Sequence, residues 1–177
     1  MDKVSLERGE PSQHETLTNL VQLYIHDFND FLSPDRKIAI EESGRYPDVL
    51  RLDDYWREPD RSVWFIRAGG ALAGFALFNR HSHCGLPVDH NMGEFFVTRA
   101  YRRDGIGARA AIDLITMHPG QWEIAVGARN MPALAFWPRV VASLDTENVE
   151  TRDGDGRQWT GPITRFVIRA PATISIS

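Results

Sequence analysis

The sequence predicts one α/β domain over residues 1–177, with a mixed, mostly antiparallel central sheet that is flanked by helices. Two short apolar runs meet at Gly69-Gly70, a pattern typical of a β-hairpin. A strand, a helix and another strand follow one another between residues 91 and 128, which predicts one parallel crossover. Strands without intervening helices come before and after this unit, and we expect them to pair antiparallel.

The first half of the chain predicts a strand, a long helix and the hairpin. Residues 3–9 form the expected strand, and apolar residues recur with helical spacing over residues 11–31. Residues 36–60 are rich in turn formers and predict one or two short helices. The hairpin strands are expected at residues 62–68 and 71–79.

The second half predicts a strand over residues 91–99, a helix after Gly105, a strand over residues 121–128 and a helix that Asn130 caps. Two strands are expected to close the chain, on either side of the turn "DGDG". The helix after Gly105 should bury four apolar residues with i, i+3, i+4, i+7 spacing: Ala108, Ala111, Ile112 and Ile115.

The composition disfavours several classes of partner. The formal net charge is −4, so the protein as a whole should not attract nucleic acid. No apolar run approaches the roughly 18 residues that a membrane-spanning helix needs, so no membrane partner is expected. Cys84 is the single cysteine, which excludes an internal disulfide and fits a reducing compartment. These features predict a cytoplasmic protein.

Four arginines and two glycines surround the junction between the strand over residues 91–99 and the following helix: Arg99, Arg102, Arg103, Arg109, Gly105 and Gly107. The first N–H groups of a helix have no partner inside it and lie at the positive end of its dipole. Glycines allow an anion to approach the backbone closely. The pattern indicates a phosphate or diphosphate site, and the alternative is a plain turn with solvated arginines.

Two nucleotide-binding motifs fit this stretch incompletely. A Walker loop fails, since Ala108 and Arg109 stand where its Lys-Ser/Thr pair belongs. The dinucleotide fingerprint matches as Gly105, Gly107 and Ala110, but it usually opens the first βαβ unit, and only about 70 residues follow here. A dinucleotide-binding oxidoreductase is therefore kept as a rival hypothesis.

A third motif fits the stretch better. "FFVTRAYRRDGIGA" resembles the acetyl-CoA loop of the GNAT superfamily of N-acetyltransferases, V-x-x-x-Y-R-x-x-G-x-G/A, with Arg102, Gly105 and Gly107 in the R-x-x-G-x-G places. "NMPALAFW" resembles the N-x-x-A-x-x-F-Y stretch of the same family. The resemblance is strongest over residues 91–141, and "VQLYIHDFNDF", "LDDYW" and "AGFALFN" are similar to a bacterial branch of predicted acetyltransferases.

The resemblance implies the acyl-CoA N-acyltransferase fold, with acetyl-CoA as cosubstrate and no metal. The pantetheine arm would lie along the backbone of Phe95, Phe96 and Val97 as an added strand. Asn130 would touch the cofactor arm from the next helix. The diphosphate would bind the amides of one loop: Arg102, Arg103, Asp104, Gly105, Ile106 and Gly107.

The implied reaction is direct attack of a primary amine, on a small molecule or a peptide, at the acetyl thioester. A backbone N–H near Val97 would stabilise the oxyanion, and Glu94 would be the base. Trp137 stands where many relatives have the tyrosine that protonates the thiolate. Among the four tyrosines, Tyr24 is favoured as the residue that protonates the thiolate instead. It also lies on the apolar face of the first long helix, which fits a role in the core. A non-catalytic acyl-CoA-binding module is the alternative function.

The acceptor is less well defined by the sequence. Residues 41–60 mix acidic and aromatic side chains that would suit a cationic amine, or they form a solvated acidic surface. His81, His83, Cys84 and His90 share one loop, but their spacing matches no recognised zinc finger, so no metal site is expected. The family resemblance leaves a homodimer open.

Overall fold

The computed structural model describes residues 3–170 and contains a seven-stranded sheet in the order β1-β2-β3-β4-β5-β7-β6. The strands are β1 (Val4–Arg8), β2 (Ser62–Ala68), β3 (Ala71–Asn79), β4 (His90–Val97), β5 (Gly120–Ala125), β6 (Thr146–Asp153) and β7 (Pro162–Ile168). The helices are α1 (His14–Phe28), α2 (Leu52–Arg57), α3 (Ile106–Thr116) and α4 (Met131–Ala142).

The sheet is mixed and mostly antiparallel, as predicted. The pairs β1-β2, β2-β3 and β3-β4 are antiparallel, and β7 pairs antiparallel with both β5 and β6. The one parallel pair joins β4 and β5, which α3 connects in the chain. The predicted crossover is therefore confirmed.

Strands β4 and β5 diverge soon after they meet. They pair only at His90 with Trp122 and at Asn91 with Glu123, although β4 continues to Val97 beside β3. Within residues 3–170, no strand pairs with β4 on its β5 side from Met92 onward. The sheet thus opens beside the strand that the sequence predicted to hold a cofactor.

A bulge in β4 sorts its side chains between the two faces of the sheet. Leu77 pairs with Glu94 and Phe78 with Met92, so Gly93 is an extra residue. A Cβ at Gly93 would lie 2.7 Å from the Asn79 Nδ2 atom, which explains the glycine. Without the extra residue, Met92 and Glu94 would face the same side of the sheet. With it, Met92 packs in the core on the α3 side and Glu94 faces α1.

The two faces of the sheet carry separate cores. Residues of α1 pack against one face: Leu17, Leu20, Val21 and Ile25, with Phe65, Phe75, Leu77 and Phe96. The other face packs against α3 and α4. The buried face of α3 is rotated from the predicted one, because Ala110 and Leu114 are fully buried and Ala108 and Ile112 only partly so.

Several predicted boundaries change. The helix expected over residues 11–31 is α1 with a single 3-10 turn at each end, and the strand expected over residues 121–128 ends at Ala125. Pro138 lies inside α4, where a proline usually kinks or ends a helix, but α4 continues to Ala142. Val140 and Val141 are buried, and we attribute the continuation to that packing. Over residues 3–170, no helix is both long and apolar enough to cross a membrane.

Candidate active site

A cavity of about 560 Å³ lies where β4 and β5 diverge. One wall consists of β4 with Glu94, and the opposite wall consists of the end of β5 and of α4. Helix α1 and the segment before β2 contribute apolar and aromatic side chains: Tyr24, Phe28, Leu32, Ile38, Leu50 and Tyr55. The cavity is therefore largely apolar around one carboxylate.

Glu94 and Tyr24 are brought together in this cavity from positions 70 residues apart in the chain. The Tyr24 hydroxyl donates a hydrogen bond to Glu94 Oε2. The Tyr24 ring packs against Phe28, Phe75 and Phe96, with centroids 5.4–6.0 Å apart. These aromatic contacts fix the phenol, so it holds the carboxylate in one orientation.

The protonation behaviour of this pair follows from its surroundings. Burial raises the pKa of Glu94 to about 7, since the charged form loses solvation, and the Tyr24 hydrogen bond opposes this only in part. Burial and the charge of Glu94 raise the pKa of Tyr24 well above its ordinary value. Near neutral pH the carboxyl group can therefore accept or release a proton, while the phenol stays protonated.

The loop from Arg102 to Gly107 turns β4 into α3. Arg103 and Gly105 have φ values of 73° and 77°, and this left-handed conformation favours glycine at position 105. The first backbone hydrogen bond of the helix runs from the Arg109 N–H to the Gly105 carbonyl oxygen. No side chain caps the helix, and within residues 3–170 no hydrogen bond occupies the N–H groups of Ile106, Gly107 and Ala108. These donors can receive an anion.

The arginines around this loop divide into two groups. Arg99 and Arg102 both pair with Asp27 of α1, and Arg102 Nε also donates to the Val97 carbonyl oxygen at 2.7 Å. Arg109 pairs with Asp113 at 3.2 Å, and Arg103 is exposed. Part of the positive charge therefore ties α1 to the end of β4. Sequence reasoning did not single out Asp27.

The remaining predicted cofactor residues lie on both sides of the opening. Phe95 lines the cavity, whereas Phe96 packs in the core on the α1 side. Asn130 lines the cavity from the start of α4, and its Oδ1 accepts from the Ala133 N–H at 3.1 Å. Trp137 is buried with its ring 5.3 Å from that of Phe95. Asn130 is thus a helix cap that also faces the site.

The acidic side chains of residues 41–60 do not line this cavity. Asp53 pairs with Arg57, Asp54 with Arg51, and Glu58 with Arg61. Among the charged side chains that do line it are Glu94 and Arg36. An acidic mouth for a cationic amine therefore finds no support in the walls of this cavity.

The loop between β3 and β4 is pinned to a buried ion pair. Arg165 Nη1 lies 2.7 Å from Glu123 Oε2, and both side chains are almost completely buried. The same carboxylate accepts hydrogen bonds from Ser82 Oγ, at 2.8 Å, and from the His83 N–H, at 2.6 Å. Sequence reasoning missed this pair, because a glutamate on one strand and an arginine on another leave no local pattern.

The histidines and the cysteine of that loop are not gathered around one point. His83 and Cys84 contact Glu123, whereas His90 packs against Trp122 with ring centroids 4.9 Å apart. In the described part of the chain, no three His, Cys, Asp or Glu side chains form a group that could hold a metal ion.

Comparisons with known proteins identify the family and the fold. A family model described as "Acetyltransferase (GNAT) family" matches residues 19–141. Among solved structures, the PaiA N-acetyltransferase of Thermoplasma acidophilum with coenzyme A superimposes with a TM-score of 0.61 at 12% identity, over 93% of this chain and 99% of that one. An acetyltransferase of Thermus thermophilus gives 0.59 at 15% identity, over 94% and 98% of the two chains.

A third similar structure is RimL, a ribosomal L7/L12 α-N-protein acetyltransferase in complex with coenzyme A. It gives a TM-score of 0.56 at 14% identity, over 95% of this chain and 96% of that one. No curated protein matches the chain in sequence.

Proposed function

The chain belongs to the GNAT family of acyl-CoA-dependent N-acyltransferases, and we propose that it transfers an acetyl group from acetyl-CoA to a primary amine of a small molecule or peptide. One observation carries this proposal. Two features lie along the edge of β4 that β5 leaves open: the N–H groups at the start of α3, which have no partner within residues 3–170, and the Glu94 carboxyl group, which can accept a proton. The amides would hold the donor, and the carboxyl group would serve the chemistry.

The cofactor would extend from the loop into the sheet opening. Its diphosphate would accept hydrogen bonds from the N–H groups of Ile106, Gly107 and Ala108, which are unoccupied within residues 3–170. Its pantetheine arm would lie beside β4 and pair with the backbone at Phe95, on the side that β5 leaves open. The Val97 carbonyl oxygen already accepts from Arg102, so we assign it no contact with the cofactor.

The chemistry would then occur next to Glu94. An ammonium acceptor loses two protons as it becomes an amide: one protonates the sulfur of coenzyme A, and the other is released. We assign to Glu94 the proton that the nitrogen loses as its lone pair forms the C–N bond and the C–S bond breaks. Tyr24, hydrogen-bonded to Glu94, would pass a proton to the sulfur and be reprotonated by Glu94.

The acceptor would be selected by contact with apolar walls more than by charge. Phe28, Leu32, Ile38 and Leu50 surround the approach to Glu94 from the α1 side. The acidic side chains that would attract a cation lie elsewhere. We therefore propose a primary amine whose ammonium group is carried on an apolar body, in place of an acceptor selected by acidic side chains.

The phosphate-binding loop is tested by Gly107→Glu. A Cβ at Gly107 would lie 3.5 Å from Val97 Cγ2, an ordinary contact, so the fold should tolerate a side chain there. We expect Gly107→Glu to lose coenzyme A binding by calorimetric titration, since its carboxylate would occupy the anion site. Gly107→Ala is the matched control and should bind much more tightly than the glutamate variant. Equal affinity of Gly107→Glu and wild type would contradict the assignment.

Catalysis itself is tested by release of coenzyme A thiol in the presence of a panel of primary amines with apolar bodies. Turnover with any member supports the transferase. Binding of acetyl-CoA without turnover for every amine would favour a non-catalytic acyl-CoA-binding module, which the tryptophan at position 137 would then explain.

A further inference from the structure

We propose that His83, oriented by Glu123, is a second acid–base residue of the site, which takes the first proton from the ammonium form of the acceptor. This inference rests on the proposed acetyl transfer, since it assigns a residue to one of its proton steps. His83 lines the same cavity as Glu94, although it comes from the loop between β3 and β4.

Glu123 holds the imidazole ring through a pair of contacts. Its Oε1 atom lies 3.3 Å from His83 Nδ1 and accepts the His83 backbone N–H at 2.6 Å. The carboxylate is fully buried and is itself fixed by Arg165 and Ser82. The ring also packs edge-on against Trp159, with centroids 4.5 Å apart. His83 therefore has a defined orientation.

This contact decides which nitrogen is available for catalysis. A carboxylate can only accept, so Nδ1 must carry its hydrogen when it bonds to Glu123. In the neutral ring the lone pair then lies on Nε2, at the opposite edge. Within residues 3–170 no hydrogen bond occupies Nε2, and 19% of the side chain is exposed. Nε2 can thus receive a proton from the cavity and release it to solvent.

Glu94 and Tyr24 leave one of the ammonium protons without an acceptor, and His83 would be that acceptor. Glu94 and Tyr24 deliver one of the two ammonium protons to the sulfur of coenzyme A. The other must leave before the nitrogen has a lone pair with which to attack. Nε2 would accept that proton from the bound ammonium and yield a neutral amine and an imidazolium, which then loses the proton to water. No other reactant is needed.

The titratable and charged groups around His83 come from strands β4, β5, β6 and β7 and from its own loop. Glu123 on β5 and Glu94 on β4 are the acidic groups near the ring, and Arg165 on β7 is the basic one. His81 and Cys84 share the loop of His83, and Glu150 on β6 lies 3.8 Å from Arg165. Because Arg165 neutralises much of the Glu123 charge, we infer that Glu123 acts mainly by orienting the ring.

The test measures kcat/KM for an apolar primary amine against pH in His83→Gln and His83→Ala. We expect a loss of about 10-fold or more near pH 7, since positioned acid–base groups contribute at least this much. The loss should shrink as the pH approaches the pKa of the amine, where neutral acceptor is abundant. Free imidazole should restore activity to His83→Ala, and coenzyme A affinity should be unchanged in both variants.

His81→Gln is the matched control. Its ring lies on the same loop, 5.7 Å from that of His83, but within residues 3–170 no hydrogen bond holds its side chain. Its loss should stay well below that of His83→Gln. Glu123→Gln is the less suitable variant, because it would leave Arg165 buried without a counter-charge.

The outcomes separate this inference from the proposed function. If wild type acetylates the amine and the His83 variants show no loss, a loss equal at every pH, or no imidazole rescue, the inference is wrong and the transferase stands. If wild type acetylates no amine, the transferase proposal and this inference fail together.

Discussion

Glu94 and Glu123 lie on neighbouring strands and differ sharply in acidity. Burial raises the pKa of Glu94 to about 7, whereas the pKa of Glu123 is lowered to about 2. Burial also acts to raise the Glu123 value, but donors from His83, Ser82 and Cys84 outweigh it, with Arg165 beside them. Among the described residues, the one donor to the Glu94 side chain is the neutral hydroxyl of Tyr24. The number and charge of the donors therefore decide which carboxyl group titrates near neutral pH and which stays ionised there.

The largest effect is expected for Glu123→Gln. It leaves the buried Arg165 guanidinium without its partner, which typically costs about 3–5 kcal/mol of unfolding free energy. Denaturant unfolding at pH 7 measures this loss. A double variant, Glu123→Gln with Arg165→Met, removes both charges and should recover most of the stability.

The acid dependence of the same site has a fixed sign. The pKa of Glu123 is lower in the folded state than in the unfolded chain, so its stabilisation is present above about pH 4.5 and is lost as pH falls toward 2. If Glu123→Gln is as stable as wild type at pH 7, Glu94 and Glu123 do not differ as we describe.

The next effect is expected for Glu94→Gln, which keeps the shape and removes the base. We expect kcat/KM to fall about 100-fold at pH 8. In wild type, Glu94 must be ionised to accept a proton, so activity should rise with pH through about 7. The variant should lose this limb of the profile, as measured by steady-state rates from pH 5 to 9.

Stability provides the contrast between the two glutamates. The raised pKa of Glu94 means that its ionisation, as pH rises from about 4.5 to 7, weakens the fold. Glu94→Gln should therefore be as stable as wild type at pH 5 and more stable at pH 8, by roughly 1–3 kcal/mol. A destabilised variant at pH 8 would argue that Glu94 is structural, like Glu123.

The smallest effect is expected for Tyr24→Phe. The Tyr24 hydroxyl lowers the pKa of Glu94, so its removal should raise that pKa and move the midpoint of the activity profile upward by up to about one pH unit. The maximal rate should fall as well if Tyr24 carries the proton to sulfur. Tyr46→Phe is a control on a different segment. A shift in both variants, or in neither, would contradict the role of this hydrogen bond.

Short stretches of the sequence predicted some features of the structure, whereas contacts between distant residues were not predictable in this way. The turn from β4 into α3, with glycines at positions 105 and 107, was predictable because glycine spacing and helix starts are local properties. Glu94 and Asn130 were proposed from the family resemblance, Glu94 from its place on the strand before the loop and Asn130 from the start of "NMPALAFW". The element order predicted a mixed, mostly antiparallel sheet for a similar reason, since periodicity identifies each strand and helix separately.

The sequence by itself determined the fold class, the family to which the chain belongs and the glycine-containing turn that starts α3. Only the tertiary structure decided that Tyr24 meets Glu94, that Asp27 holds Arg99 and Arg102, and that Glu123 orients His83. These contacts join residues 40 to 75 positions apart in the chain. The contact between Tyr24 and Glu94 depends on the bulge at Gly93, which directs Glu94 toward α1 and leaves no periodic signal, because it arises from pairing between strands.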